Sequence, residues 1–212
     1  MKLKESVKTV KKNNISYVLD DTGRIKKITP WLGDIFSFLY DRIMERSVFP
    51  KKFNANLSKH FDILKQEYSD FHSIKILDIG AGNGYSAALL NKDNSYTGID
   101  ISRGLLLQAV KRFADKSFQD TDFYIADAKD LPFSDGYFDA VICDLTLNFL
   151  GDLEIFVKEL KRVMKNNSSF FCSIAVPERK DSKGTIHGNL YSENELKDLF
   201  QKYGFTFKPK SY

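Results

Sequence analysis

Three glycines alternate along a short stretch that follows an apolar run, and an aspartate precedes them. The stretch reads ILDIGAGNGY, with Gly80, Gly82 and Gly84 alternating and Asp78 two residues before the first glycine. Glycines at a strand-to-helix turn let a ligand approach the backbone closely, as they do in sites for nucleotide-like cofactors. The stretch therefore predicts a loop that holds a nucleotide-like ligand.

The residues around these glycines indicate what kind of ligand the loop accepts. The dinucleotide fingerprint is G-x-G-x-x-G, and Tyr85 occupies the place of its third glycine here. Asp78 adds a carboxylate near the loop, which disfavours a pyrophosphate and favours a ligand with an amino group or a sulfonium. A nicotinamide-dependent oxidoreductase is disfavoured for both reasons.

Three further aspartates follow predicted strands. Asp100 ends the second strand, where a carboxylate can accept hydrogen bonds from two ribose hydroxyls. Asp127 lies between two alanines after the third strand and can accept a hydrogen bond from the exocyclic amine of adenine. Asp144 ends the fourth strand. Asp78, Asp127 and Asp144 each have a structural alternative, in which the side chain only caps a loop or a turn.

The elements that position these residues alternate from residue 74 onward. Strands are predicted over 74–79, 95–99, 122–126, 138–143 and 169–176, and helices over 84–91, 103–115, 152–164 and 193–203. This alternation predicts an α/β fold with a doubly wound, Rossmann-like, mostly parallel sheet and helices on both faces. Ligands bind such sheets beyond the carboxyl ends of the strands, where the strand order reverses. The glycine loop and the aspartates should therefore meet there.

Two segments precede this alternation. Residues 1–30 form a basic N-terminal segment, in which 15–19 and 24–28 flank Asp-Asp-Thr-Gly as a hairpin would. Residues 31–73 are predicted to form a helical lid and substrate-recognition segment, with helices over 34–46 and 56–71. Residues 74–212 then form the cofactor-binding domain.

The composition is that of an ordinary globular protein. The 212 residues are 42% hydrophobic and 28% charged, with a net charge of +4. No apolar run reaches the roughly 18 residues that a membrane span needs, and no apolar stretch follows the basic N-terminus as in a secretory signal. Cys143 and Cys172 lie in apolar runs without CxxC spacing, which predicts buried, reduced thiols in a cytoplasmic protein.

Four motifs in succession resemble one known family. They are DIGAGNG over 78–84, GID over 98–100, ADAKDLPF over 126–133 and FDAVICD over 138–144. Together they resemble class I S-adenosylmethionine-dependent methyltransferases over about residues 74–205. The stretch LPFSDGYFDAV, over 131–141, is similar to the small-molecule branch typified by ubiquinone and menaquinone biosynthesis enzymes.

The resemblance implies S-adenosylmethionine as cofactor and S-adenosylhomocysteine as product. It implies that the backbone of Gly80, Ala81 and Gly82 approaches the methionyl part and the sugar. It also implies that Asp78 fixes the geometry of the site or reaches the amino group through water. The remaining implied contacts are Asp100 with the ribose, Ile101 with adenine, Asp127 and Ala128 with the adenine edge, and Asp144 and Leu145 with the methionyl end and the methyl group.

No catalytic dyad is evident in the sequence. Methyl transfer from a sulfonium is an in-line displacement, which needs a general base only when the acceptor holds its proton at neutral pH. His60, His72 and His187 are far apart from one another, and no metal-ligand spacing occurs, so no metal is expected. The weak catalytic candidates are Asp144, His187 in the loop after the fifth strand, and Tyr40. In the resembled family, a front helix that often carries a tyrosine folds over the cofactor, which makes Tyr40 a cofactor-binding candidate as well.

The sequence departs from the resembled family at its end. That family usually finishes with a hairpin that adds an antiparallel strand beside the fifth strand, whereas 204–212 supplies only one arm of it. Either the sequence is truncated here, or the predicted 15–28 hairpin or a second copy of the chain completes this edge, and the oligomeric state stays open.

Three functions fit the sequence. A methyltransferase for a small-molecule acceptor is favoured. An RNA or protein methyltransferase is the alternative that the basic front end supports, although Asp144 to Leu147 lacks the polar clamp of enzymes that methylate base amines. A non-catalytic S-adenosylmethionine-binding protein would retain the same acidic residues.

Overall fold

One mostly parallel sheet forms the centre of the fold. The structure is a computed structural model that describes residues 2–28, 40–52, 55–176 and 188–210. Its strands are β1 Thr9–Lys12, β2 Ile15–Val18, β3 Lys75–Ile79, β4 Ser95–Asp100, β5 Thr121–Ile125, β6 Phe138–Asp144 and β7 Met164–Ser173. Their order across the sheet is β1-β2-β5-β4-β3-β6-β7. Every strand pair among the described residues is parallel except β1 with β2.

Helices cover both faces of this sheet. They are α1 Tyr40–Ile43, which continues as a π-helical segment over Met44–Lys52, then α2 Leu57–Glu67, α3 Arg103–Asp115, α4 Leu153–Val163 and α5 Glu193–Lys202. Helices α2 and α3 pack on one face, and α4 and α5 pack on the other. None of the described helices combines the length and apolarity that crossing a bilayer requires. The predicted fold class, a doubly wound Rossmann-like sheet, is confirmed.

The alternation of side chains along each strand explains why both faces are covered. In β6, Ala140 and Ile142 point to the core beneath α2 and α3, whereas Val141 and Cys143 point to the core beneath α4 and α5. All four side chains are almost completely buried. A strand with apolar residues on both sides is stable only between two helical layers, so the continuous apolar run of β6 dictates the architecture.

The strand order reverses beside β3. From β3 the chain moves outward through β4 and β5, and then returns to place β6 on the other side of β3. Asp78 and Ile142 are paired in register at this junction, so the ends of β3 and β6 lie next to each other. This is the switch point at which open α/β sheets bind ligands, and the glycine loop begins there.

The N-terminal hairpin differs in position from the prediction. Regular pairing joins β1 to β2 through Asn13 and Asn14, whose φ values of 52° and 61° suit a two-residue type I′ turn. The predicted pairing around Asp-Asp-Thr-Gly is reduced to a single bridge between Leu19 and Ile25. Strand β2 pairs with β5, so the hairpin covers that edge of the sheet and cannot complete the edge at β7.

The edge strand β7 begins earlier than predicted and contains a bulge. Met164 pairs with Phe138, but the next paired residue is Ser169, opposite Ala140. Regular pairing therefore begins at Ser169, where the predicted strand begins, and it ends at Ser173. Among the described residues, only β6 pairs with β7, and residues 204–210 do not form the single arm that the sequence suggested.

Three smaller predictions need correction. The helix expected over 84–91 is only a 3₁₀ turn, Tyr85–Ala88. Cys172 is an exposed residue of the edge strand, whereas Cys143 is buried as expected. Of the helix expected over 34–46, residues 34–39 lie outside the described residues, and the helical chain continues to Lys52.

We expect Gly84→Ala to destabilise the fold far more than Gly136→Ala. Both glycines have positive φ, 75° and 57°, so both substitutions carry the strain of a left-handed alanine, about 1 kcal/mol. A Cβ on Gly84 would lie 2.7 Å from Cα of Ala109 in α3, whereas a Cβ on Gly136 meets nothing within 4 Å. Overpacking should add about 1–3 kcal/mol for Gly84→Ala alone. Urea unfolding of both variants measures this difference, and equal losses would contradict the close packing of loop and helix.

Candidate active site

The glycine loop is held against the neighbouring strand by its backbone. The N–H groups of Gly80 and Ala81 both donate to the carbonyl oxygen of Ile99, at 2.9 Å each. Gly80 has a φ of 74°, and a Cβ there would lie 2.2 Å from Oγ1 of Thr146. Glycine is required at this position because the turn after β6 presses directly on the loop. The loop and the end of β6 therefore form one wall.

Asp78 is buried beneath this loop and accepts two hydrogen bonds. Both reach its Oδ2, from the Ser86 hydroxyl at 2.8 Å and the Tyr96 hydroxyl at 2.7 Å. Burial raises the pKa of Asp78 to about 7, although the two hydroxyls act in the opposite direction. A carboxylate with such a pKa would be held in its charged form by a cationic group of a ligand. Asp78 thus suits the amino group that the sequence predicts for the ligand.

Asp100 organises two backbone segments at the end of β4. Its Oδ2 accepts from the N–H of Gly82 at 2.9 Å, and its Oδ1 accepts from the N–H of Ser102 at 2.8 Å. Ser102 in turn caps α3 by accepting from the N–H of Leu105. The two bonds fix the carboxylate at the end of β4, where the sequence predicts a contact with ribose hydroxyls. Ile101, beside it, is 38% exposed and offers an apolar surface.

Asp127 makes a local turn contact. Its Oδ1 accepts from the N–H of Lys129 at 2.9 Å, and the following Ala128 is buried. This bond is the turn-capping alternative that the sequence left open. It occupies one carboxylate oxygen, so a contact with adenine stays a prediction.

A cavity of about 690 Å³ lies between the glycine loop on one side and the π-helical segment and α2 on the other. Of the predicted cofactor residues, Asp78, Gly80, Ala81, Gly82, Asp144 and Leu145 line it. Asp100, Ile101, Asp127 and Ala128 do not line it. The opposite wall comes from the π-helical segment and α2, through side chains that include Met44, Phe49, His60, Phe61 and Leu64. The residues predicted to contact the methionyl part of the cofactor therefore face the π-helical segment and α2 across one cavity.

A histidine that the sequence analysis did not select pairs with Asp144. His60 Nε2 donates to Oδ1 of Asp144 at 2.9 Å, and the Ser173 hydroxyl donates to the same oxygen. The His60 side chain is fully buried, whereas that of Asp144 is 32% exposed. The sequence analysis did not identify this pair, and whether it takes part in catalysis is not decided by the contact itself. The available signal was helical spacing, since His60 shares the buried face of α2 with Leu64.

The turn after β6 is strained. Leu145 has a φ of 50°, a left-handed conformation that is unfavourable for a residue with a branched side chain. Its N–H donates to both the carbonyl and the hydroxyl oxygen of Ser173, at 3.1 Å each. These bonds hold the turn so that Asp144 and Leu145 both face the cavity. Strain of this kind concentrates at functional sites.

Tyr85 connects the glycine loop to α2. Its ring stacks on that of Phe61 from α2, with centroids 3.6 Å apart and planes 10° apart. The guanidinium of Arg112 lies 5.6 Å from the centroid of the Tyr85 ring. Tyr85, which stands where the fingerprint has its third glycine, therefore packs the end of the glycine loop against α2.

Two predicted candidates cannot be placed. Tyr40 is the first residue of α1, but its side chain is outside what the structure describes. His187 lies in the undescribed segment 177–187. Their roles stay predictions.

Comparison with known proteins finds methyltransferases. Residues 77–172 match the protein family described as a methyltransferase domain. A ubiquinone/menaquinone biosynthesis C-methyltransferase of Desulfotalea psychrophila is 34% identical over 110 residues, which are 50% of this chain and 44% of that protein. The protein of the same name from Rickettsia bellii is 30% identical over 143 residues, 64% of this chain and 52% of that protein. The chain thus spans about half the length of the curated relatives it matches.

A solved structure shows the same fold. It is phosphoethanolamine N-methyltransferase 2 of Haemonchus contortus in complex with S-adenosylmethionine, with a TM-score of 0.62 and 19% identity. The similarity covers 81% of this chain and 41% of that chain, and at this identity it concerns the fold alone. The family match and the curated relatives confirm the resemblance to class I S-adenosylmethionine-dependent methyltransferases and to the ubiquinone and menaquinone branch.

We expect His60→Ala to cost about 2–4 kcal/mol of unfolding free energy. The variant leaves a cavity beside the rings of Phe49 and Phe61 and removes the hydrogen bond to Asp144. His72→Ala is the matched control, because His72 also pairs with an aspartate, Asp93, but its side chain is 60% exposed. Its loss should stay below about 1 kcal/mol. Urea unfolding compares the two variants, and similar losses would argue against a buried, structured His60–Asp144 pair.

Proposed function

We propose that this methyltransferase-domain protein transfers a methyl group from S-adenosylmethionine to a small-molecule acceptor by in-line displacement. The observation that carries the proposal is that one cavity is lined by the glycine loop, the buried Asp78 and the Asp144 carboxylate. These groups come from two strand ends that meet at the switch point of the sheet.

The residues present fit this cofactor. Asp78 is suited to its ammonium group, because a nearby cation would favour the ionised form of a carboxylate with a pKa of about 7. Gly80 and Gly82 bring backbone without side chains to the cavity wall, and we propose that Asp100, fixed at the end of β4, binds the ribose hydroxyls. We propose that the exposed Ile101 supplies an apolar surface for the adenine ring and that Asp127 and Ala128 contact the edge of that ring. When bound, the cofactor supplies a methyl group activated by a sulfonium.

The size and position of the cavity support a small acceptor. A volume of about 690 Å³ is within the range of small-ligand sites, and the π-helical segment and α2 close its far side. We propose accordingly that residues 31–73 act as a lid and substrate-recognition segment. The names of the curated relatives, C-methyltransferases of quinone biosynthesis, also support a small-molecule acceptor.

The basic N-terminal residues lie away from this cavity. Lys11 and Lys12 are in β1, the outermost strand, and β2, β5 and β4 separate it from β3. A nucleic acid bound along β1 would not by itself place a base near Asp78 or Asp144. This placement favours the small-molecule proposal over an RNA methyltransferase.

We expect the chain to bind S-adenosylmethionine and S-adenosylhomocysteine, and Asp100→Asn to weaken both by about tenfold or more. A hydrogen bond to a charged group contributes about 1.5–3 kcal/mol, which corresponds to that loss. Calorimetric titration of both ligands and of NADH measures it, with Asp115→Asn as a control that removes an exposed aspartate of α3 outside the site. Circular dichroism checks that Asp100→Asn is folded, since Asp100 also holds the loop.

Two results would refute the proposed cofactor. One is the absence of adenosyl-ligand binding by the folded chain, and the other is NADH binding as tight as that of S-adenosylmethionine. Binding without methyl transfer to any acceptor in a broad small-molecule screen would instead favour a non-catalytic binding protein.

A further inference from the structure

We infer that the acceptor is uncharged or cationic and that it presents an O–H or N–H proton to Asp144. This inference rests on the proposed function, because it concerns the same cavity, and it specifies the class of acceptor. It follows from the charges on the cavity wall and from the way in which Asp144 is held.

The described part of the cavity wall carries negative charge only. Apart from Asp78, which the proposed function pairs with the ammonium group of the cofactor, its formally charged residues are Glu45, Asp62 and Asp144, and no lysine or arginine is among the described lining residues. The rest of the wall is largely apolar and aromatic, with contributions from Phe49, Phe61, Tyr68 and Tyr85. These described residues accommodate an aromatic or aliphatic body, and none of them is a lysine or arginine that could pair with an anion.

An anionic acceptor would be disfavoured on this wall. Bringing a carboxylate or a phosphate into the cavity strips water from its charge, and this cost is recovered only if a cation or several donors replace the water. Acidic side chains would add repulsion, which water screens at the exposed Glu45 and Asp62 and screens less at the partly buried Asp144. A cationic acceptor gains from the same charges, and an uncharged acceptor is not repelled by them.

Asp144 is held so that it can accept a further hydrogen bond. The two contacts described for its carboxylate, from His60 and Ser173, are both made by Oδ1. The side chain is partly exposed, and it lines the cavity with Leu145, the residue predicted to border the methyl group. His60 is therefore a positioning residue, which fixes Oδ1 and leaves the other carboxylate oxygen for the acceptor.

In this inference, the Asp144 carboxylate takes the proton that the acceptor loses. The electron pair of the acceptor's nucleophilic atom forms a bond to the methyl carbon, and the carbon–sulfur bond breaks with its electron pair going to sulfur. The acceptor's O–H or N–H proton passes to the Asp144 carboxylate, which raises the electron density of the nucleophile as the new bond forms. The products are the methylated acceptor, the neutral thioether and a protonated Asp144, which later releases its proton to water.

Three probes with the same phenol ring test the charge preference. They are 4-ethylphenol, tyramine and 3-(4-hydroxyphenyl)propionate, which differ mainly in whether the side chain ends without charge, in an ammonium or in a carboxylate. Their binding to the chain saturated with S-adenosylhomocysteine is measured by ligand-observed NMR titration. We expect the carboxylate probe to bind at least about tenfold more weakly than 4-ethylphenol, and tyramine to bind at least as tightly as 4-ethylphenol.

Variants of the pair test the contact with Asp144. Asp144→Asn should reduce the discrimination against the carboxylate probe several-fold, whereas the control Asp115→Asn should leave it unchanged. His60→Gln retains an N–H that can reach Asp144 and should preserve the affinity for 4-ethylphenol. His60→Ala, measured where it is folded, should lose about threefold or more of that affinity. This difference separates positioning from a general structural role.

The outcomes separate this inference from the proposed function. Failure of the chain to bind S-adenosylhomocysteine refutes the proposed function before any probe is added. With that ligand bound, equal or tighter binding of the carboxylate probe overturns the inference alone. So does the absence of binding by all three probes, or an Asp144→Asn variant that discriminates as strongly as the unaltered chain.

Discussion

The carboxylate of Asp78, enclosed below the glycine loop, joins the parts on which the site depends. Its Oδ2 accepts two hydrogen bonds, one from the hydroxyl of Ser86 in the 3₁₀ turn after the loop and one from the hydroxyl of Tyr96 in β4. Tyr96 stacks on Phe113 of α3, with ring centroids 3.9 Å apart, so the arrangement extends to the helix that follows β4. A buried carboxylate without a cation is costly, and the raised pKa of Asp78 reflects that cost. A bound ammonium group would remove much of this cost, which supports our proposal that the loop accepts a cationic ligand.

The second constraint comes from α2, which is not part of the alternating β and α units. Two adjacent residues of this helix reach different parts of the site: His60 reaches the end of β6, and Phe61 stacks on the loop residue Tyr85. In the proposed function, the sheet shapes the cofactor side of the cavity, and α2 and the π-helical segment shape the acceptor side. A shift of α2 would therefore displace both the Asp144 carboxylate and the glycine loop. Cofactor binding and acceptor selection are therefore expected to be coupled in this protein.

The sequence predicted those features that depend on local periodicity and on chain order. Strands β3 to β6 and helix α3 follow from apolar runs and helical spacing, and the helix was predicted with its observed bounds, 103–115. The acidic residues at strand ends could be placed at one edge because parallel strands present their carboxyl ends together. The pairing of His60 with Asp144 could not be predicted, because it joins residues that are 84 positions apart and meet only through tertiary packing. The Asn13–Asn14 turn was missed because Asp-Asp-Thr-Gly is an equally good local turn signal, and only pairing of β2 with β5 decides between them.

The most direct test of this account is the proton balance of cofactor binding. S-adenosylmethionine is titrated calorimetrically into the chain at pH 6.5 in two buffers that differ in ionisation enthalpy. If the ammonium group of the cofactor lowers the pKa of Asp78 from about 7, binding releases a substantial fraction of a proton, and Asp78→Asn abolishes the release. Proton uptake, or a release that persists unchanged in Asp78→Asn, would contradict the role of this carboxylate as the partner of the bound cation.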